Sequence, residues 1–361
     1  MAYTTIDDPS AHFHIQLYTG NADANAITND ANAGDFAPDL IWMKNREISA
    51  AHGLYDSTRG TGTSKSLKSD ETAVEGDASG NMNLTAFSSD GFSLGATSGT
   101  NQINYADDGH VAWQWKANGG STTTNDASAT SVGNVDSVYQ TNTTARFSIV
   151  TYTGTASDDS VLAHGLGASP ELIIIKARDA TSGWSVNHTS TGITSGYYQL
   201  QTNVVFTSAD NNVKAVSSTT FTLGVDSWVN GSGVDFIAYF FKGIQGYSKF
   251  GGYTGNAAND GPFVYTGFKP RFVLLKCSDV VESWYIWDTT RSIYNLVDDF
   301  LNPNSNNAET VNADRSIDAL SNGFKLRGTN TATNGDGNTY SYAAFAHQPF
   351  VTSGGVPCTV F

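Results

Sequence analysis

The side chains that could do chemistry are few, and none stands in a catalytic arrangement. Adjacent carboxylates occur at Asp7-Asp8, Asp107-Asp108, Asp158-Asp159 and Asp298-Asp299. Glycoside hydrolysis needs two carboxyls flanking one bond, whereas neighbours on an extended chain point to opposite sides. These pairs, and Asp336 in Asn334-Gly335-Asp336-Gly337-Asn338, are candidate Ca²⁺ loops. Their setting reads as solvated turns. His12 and His14 would share one strand face, a spacing that suits a metal, but no Cys or second His pair lies near them. His164-Gly165-Leu166-Gly167 lacks the third glycine of a dinucleotide loop. Gly60-Thr61-Gly62-Thr63-Ser64-Lys65-Ser66 lacks the glycine before the lysine of a phosphate loop. No Gly-x-Ser-x-Gly elbow occurs. The residues point to a chain that is not an enzyme and uses no metal or other cofactor.

Aromatic residues offer binding instead. Trp113 and Trp115 share a strand face, and Trp284 and Trp287 flank an expected turn. Most such rings fill the core of a sandwich. Trp228 and Trp287 are the candidates for an exposed contact with a glycan or receptor.

The elements that carry these residues come in three copies. Tyr-Thr-Gly opens each, at Tyr18, Tyr152 and Tyr253. An apolar run follows from Pro38 to Lys44, Pro170 to Lys176 and Pro270 to Lys276. Twelve residues after each lysine comes a polar turn, at Asp56, His188 and Asp288. Phe92-Leu94, Phe221-Leu223 and Phe324-Leu326 mark a later strand, and aromatic strands around Trp113, Tyr239 and Phe345 close the copies. Repetition with fixed internal spacing is the mark of a scaffold. Each lysine reads as a residue that closes a buried strand and extends its stem to water, with a polar contact at a binding edge as the alternative. Asp56 and Asp288 each precede an Arg by three positions. They read as turn clips worth ~1 kcal/mol. His188 has no such arginine.

Composition narrows the class. The chain has 361 residues, 39% hydrophobic, 12% aromatic and only 15% charged, with 36 Gly. It is too aromatic for disorder, and its Ser, Thr, Asn and Gly favour short strands joined by polar turns. Strands are expected at 13–18, 40–44, 147–152, 172–176, 236–242 and 272–276. A short surface helix is expected at 292–301, where Ile293, Leu296, Val297 and Phe300 have helical spacing. The net charge of −15 argues against nucleic acid. No apolar stretch suits membrane insertion, and no signal peptide is evident at the N-terminus. Cys277 and Cys358 are expected to be free thiols, fitting a reducing cytosol.

The expected fold is all-β: three tandem β-sandwiches, jelly-roll-like, of about 100–105 residues each, a size that can bury its own core. The units are 13–116, 146–246 and 247–350. The Ser/Thr/Asn-rich stretch 117–145 reads as a polar linker or extended arm, and 351–361 as a tail.

The strings from Phe147 through Gly154, His164 through Lys176, Tyr247 through Lys276 and Leu320 through Phe324 resemble a repeat family of virion structural proteins of marine tailed phages. Leu40 through Gly60 and Phe87 through Lys116 resemble its first unit. The resemblance implies a structural protein of a virion surface, assembled in the host cytoplasm and present in several copies per particle. A tail fibre or appendage that contributes to host attachment is the favoured place. A capsid decoration, cement or head-fibre protein is the alternative, and a glycan depolymerase the remote one. Its implied partners are other virion proteins and a host surface glycan or receptor.

Overall fold

The computed structural model describes residues 2–30, 36–76, 80–96 and 102–358. The first unit contains β1 (Phe13–Thr19), β2 (Asn25–Thr28), β3 (Leu40–Asn45), β4 (Gly53–Asp56), β5 (Leu84–Ser88), β6 (Gly91–Leu94) and β7 (Gly109–Trp115). They form two antiparallel sheets, ordered β1-β7-β3-β4 and β2-β6-β5. The last strand lies between the first and third, and the next-to-last pairs with the second. That wrap is jelly-roll-like.

Units two and three repeat it strand for strand. Their large sheets contain Phe147–Thr153, Asp235–Phe241, Leu172–Ala177 and Trp184–His188, then Ser248–Thr254, Thr339–Pro349, Phe268–Cys277 and Trp284–Asp288, in the same order. The small sheets repeat with equal fidelity. The fold is all-β and sandwich-like. No helix among the described residues is long and apolar enough to cross a membrane.

The two faces of each large sheet have different neighbours. Successive side chains on a strand point to opposite faces. Ile41 and Met43 of β3 face the small sheet of their own unit, with Phe92, Leu94 and Met82. Leu40 and Trp42 face the other way, into an apolar core shared with Leu172, Ile174, Tyr239 and Phe241 of unit two and Phe272, Leu274 and Phe345 of unit three. Trp115 shows the sharing most directly. Its ring centroid lies 5.0 Å from Phe13, 6.3 Å from Phe241 and 5.8 Å from Phe272. Three large sheets thus pack around a common centre, leaving only an apolar gap of about 30 Å³ between them.

Two expected features differ. Residues 117–145 are an extended, paired arm rather than a loose linker: Thr123–Asn125 and Ser137–Asn142 are strands that extend the large sheet of unit two beyond Phe147–Thr153. Gln140 ties this edge to unit one, donating to Ser57 Oγ at 2.8 Å and Thr58 Oγ1 at 2.6 Å. An edge covered on one side needs little apolar sequence, so its composition looks like a linker. The expected helix at 292–301 is absent. Val297 bridges Ile317, and Asp299–Leu301 is a strand. Val297 and Phe300 enter the core while Ile293 is 67% exposed, so the helical spacing does not describe one buried face. Of the tail, 351–358 is described, with Val351 bridging Pro357; 359–361 lie outside the described residues.

An isolated middle unit would expose Leu172, Ile174, Ile237, Tyr239 and Phe241 together. Residues 117–246 expressed alone are expected to self-associate or lack fixed packing, read by size-exclusion chromatography and near-UV circular dichroism. A rigid monomer would contradict the shared core.

Candidate functional site

The repeated residues converge on the seams between units. Lys44, Lys176 and Lys276 do not reach water; all three are fully buried. Each continues the inward-facing row of its strand, after Trp42, Ile174 and Leu274, into a cage of backbone carbonyls. Lys176 Nζ donates to Ser182 O at 2.8 Å and to Thr72 O of unit one at 3.3 Å. Lys276 Nζ donates to Glu282 O at 2.7 Å and to Asn203 O of unit two at 3.3 Å. Lys44 Nζ donates to Asn45 O at 2.6 Å and to Ile48 O at 3.4 Å. Burial pushes each ammonium down to about 8.

Eight residues on, a ring N–H crosses each seam. Trp184 Nε1 reaches Lys68 O of unit one at 2.9 Å, Trp284 Nε1 reaches Gln199 O of unit two at 3.0 Å, and His52 Nε2 lies 3.1 Å from Asn302 O of unit three. The backbone answers across the same three seams with its donors on the other side: Glu75 N donates to Arg178 O, Phe206 N to Ser278 O and Glu309 N to Arg46 O. Unit two therefore meets one, three meets two and one meets three. The ring closes with pseudo-threefold symmetry.

The polar turns bind across the same seams. Asp56 accepts from Arg59 Nε and, at 2.8 Å, from Tyr239 OH of unit two. Asp288 accepts from Arg291 Nε at 2.6 Å and from Trp113 Nε1 of unit one at 3.0 Å. Each arginine continues into a bridging glutamate. Arg59 and Arg178 share Glu75, and Arg291 and Arg46 share Glu309. The turn at the third seam carries no ion pair. His188 Nε2 lies 3.0 Å from Tyr342 O, and its Nδ1 accepts from Ser190 N at 3.1 Å, which fixes the neutral tautomer with the proton on Nε2. Burial holds this imidazole down to about 4.

The Tyr-Thr-Gly motif is a clamp within each unit. Its tyrosine hydroxyl donates to Ile103 O, Val229 O or Thr333 O at 2.5–2.7 Å. A Cβ on Gly20, Gly154 or Gly255 would stand 2.0–2.3 Å from a backbone oxygen, so the approach admits only glycine. Sequence reasoning missed the partner. Asn104, Asn230 and Asn334 accept through Oδ1 from the backbone N–H of Asn21, Thr155 and Asn256. Each stands five residues before the strand that closes its unit, and that spacing was the available signal.

Other candidates resolve individually. Trp287 is fully buried and donates to Arg315 O at 3.0 Å, so it offers no contact surface. It shares one strand with Trp284 rather than flanking a turn. Trp228 is half-buried against Tyr197, ring centroids 5.7 Å apart. His12 lies outside β1 and contacts Asn142 at 3.0 Å, while His14 is buried against Gln16, so the two are not a metal pair. Among the described residues no group of three or more His, Cys, Asp or Glu is placed to hold a metal ion. Asp158 and Asp159 grip Lys214 between them. Cys277 and Cys358 are free.

The seams and clamps make this a covalently linked pseudo-trimer in which most of the repeated polar residues join one segment to another. A family described as a Domain of unknown function (DUF7483) matches residues 8–349, and the chain belongs to it. The match takes in all three units and both joins, so the family unit is the closed ring rather than one sandwich. No curated protein and no solved structure matches the chain.

Two outcomes are expected. Replacing Asp288 by Ala leaves the buried Arg291 guanidinium short of its carboxylate and should lower stability by about 3–5 kcal/mol, well above a surface turn clip. Chemical denaturation measures it; a loss near 1 kcal/mol would place the pair at the surface. The second concerns pH. His14, His110, His164 and His188 are neutral when folded, held down to about 4, against 6.5 when unfolded. Between these values the unfolded chain binds more protons, so stability falls as pH drops from 6.5 to 4. For the lysines, folded near 8 against 10.5 unfolded, the same sign makes stability rise as pH climbs above 8. Melting temperatures should follow both slopes, and Lys176→Met should flatten the alkaline one.

Proposed function

We propose that the protein is a non-enzymatic structural component of a tailed-phage virion surface, a tail fibre or appendage that contributes to host attachment. The observation that carries this reading is the closed ring of three sandwiches. Its repeated Lys, Asp, Arg and Trp side chains hold units together across buried seams, which leaves the outer loops and small sheets for contact. Such a body suits presentation in several copies, where weak contacts add by linkage. Its partners on this reading are other virion proteins and a host surface glycan. The resemblance of the repeats to virion structural proteins supports the same conclusion.

A second reading, capsid decoration, draws on the pseudo-threefold outline. A ring of this symmetry fits a threefold position on a shell, where a symmetric partner offers three equivalent surfaces. Locating the chain in an image reconstruction of purified particles separates the two. Density on the tail supports the appendage, density on the shell selects decoration, and absence from purified particles overturns both.

A further inference from the structure

Unit three departs from the repeat on its outer edge. Val264 pairs with Phe324 as Ile27 pairs with Phe92 and Leu162 with Phe221, and all three face their cores. The flanking positions lie on the opposite face, where Ala163 alone is buried. They are Ala26 and Thr28 in unit one and Val161 and Ala163 in unit two, but Phe263 and Tyr265 in unit three, 46% and 49% exposed. Two rings stand on one face of an edge strand, about 7 Å apart along the chain.

Beside them lies a groove of about 320 Å³ at the join of units two and three, within the size range of small-molecule sites. Tyr3, Phe250 and Tyr265 give it aromatic walls, and Glu171, Gln245 and Lys249 give it polar ones. These groups are held in place. Tyr3 OH donates to Gly267 O at 2.8 Å and lies 3.2 Å from Tyr265 OH. Lys249 Nζ donates to Tyr265 O at 2.7 Å and lies 5.2 Å from the Tyr265 ring centroid. Glu171 accepts from Gly243 N at 2.9 Å and pairs with Lys242. Fixed donors and acceptors around exposed rings match a sugar, whose C–H face stacks on an aromatic ring while its hydroxyls both donate and accept. Glu171 is neutralised by Lys242, and the net charge of −15 disfavours a polyanion.

We propose that the Tyr3–Tyr265 groove and the adjoining Phe263–Tyr265 face bind a neutral oligosaccharide. The proposal deepens the attachment reading and rests on it for the source of the ligand. Isothermal titration of the full chain with mannohexaose, chitohexaose and hexagalacturonate tests it. At least one neutral hexasaccharide should bind. Tyr265→Ala and Phe263→Ala should each weaken it by about tenfold or more. Tyr265→Phe, which keeps the ring, and Tyr294→Ala, on a separate exposed loop, should stay within about twofold of the parent. Near-UV circular dichroism of each variant separates a lost site from a lost fold. Binding by neither neutral probe, preference for hexagalacturonate, or undiminished binding by a folded Tyr265→Ala would overturn the proposal. So would a Tyr265→Ala chain that binds no less sugar but fails to enter particles, which would make this face a protein-docking surface. Absence of the chain from virions would sink the attachment reading without touching the titration.

Discussion

The constraint on which the structure depends is that each large sheet is apolar on both faces while its own unit covers only one. Strand Leu172–Ala177 alternates Ile173 and Ile175 toward the small sheet with Leu172 and Ile174 toward the centre. Burial of apolar surface contributes about 25 cal/mol per Å². An uncovered inner face would forgo that contribution and leave a patch that self-associates. Three units in one chain meet the need by covering one another. Covalent linkage makes that contact intramolecular, so the ring does not depend on protein concentration as a separate trimer would.

Packing alone does not fix how three such faces meet, because apolar contact is not directional. The seams supply direction. Each has buried donors, a lysine or a ring at fixed spacing, that must find an acceptor, and the neighbour supplies a backbone carbonyl. Thr72 O and Asn203 O take a lysine ammonium, and Lys68 O, Gln199 O and Asn302 O take an indole or imidazole. Sliding one unit along another would strip the buried Lys176, Lys276, Trp184, Trp284 and His52 of these acceptors, at about 1–3 kcal/mol each. The lysines illustrate the balance. Burial disfavours their charge, yet their donors are what the carbonyl cages require.

Much of this was legible in the sequence. The three copies, their strands and the all-β class follow from alternation, turn residues and fixed spacing, because those depend on local chemistry. The seams were not legible. A lysine that ends an apolar strand ordinarily snorkels to water, whereas Lys176 and Lys276 turn back to a carbonyl of the loop that follows and reach a second one on another unit, distant in sequence. An apolar run such as Leu172–Ile175 announces cover on both faces without naming what provides it. Residues 117–145 misled for the opposite reason, since a half-covered edge strand can be as polar as a linker. Trp287 read as a possible platform because a lone tryptophan carries no sign of which face of its strand is inward.

The departures from symmetry are as informative as the repeats. Two seams use Asp, Arg and a bridging Glu, while the third uses His188, Ser190 and Tyr198 with Ser278 and Ser341. A unit docked in the wrong order would part Arg178 from Glu75 and Arg46 from Glu309, and would take Tyr239 from the buried Asp56 and Trp113 from the buried Asp288, and a buried charge that loses partners is heavily penalised. The differences between seams therefore encode the order one, two, three around the ring. Identical seams would permit exchange of units between chains. Outside the seams that constraint lapses, and there the units are free to diverge. Ala26, Val161 and Phe263 occupy one position on three equivalent strands. A scaffold that repeats inside and varies outside confines its stability to the shared centre and its specificity to whichever unit carries the exposed rings.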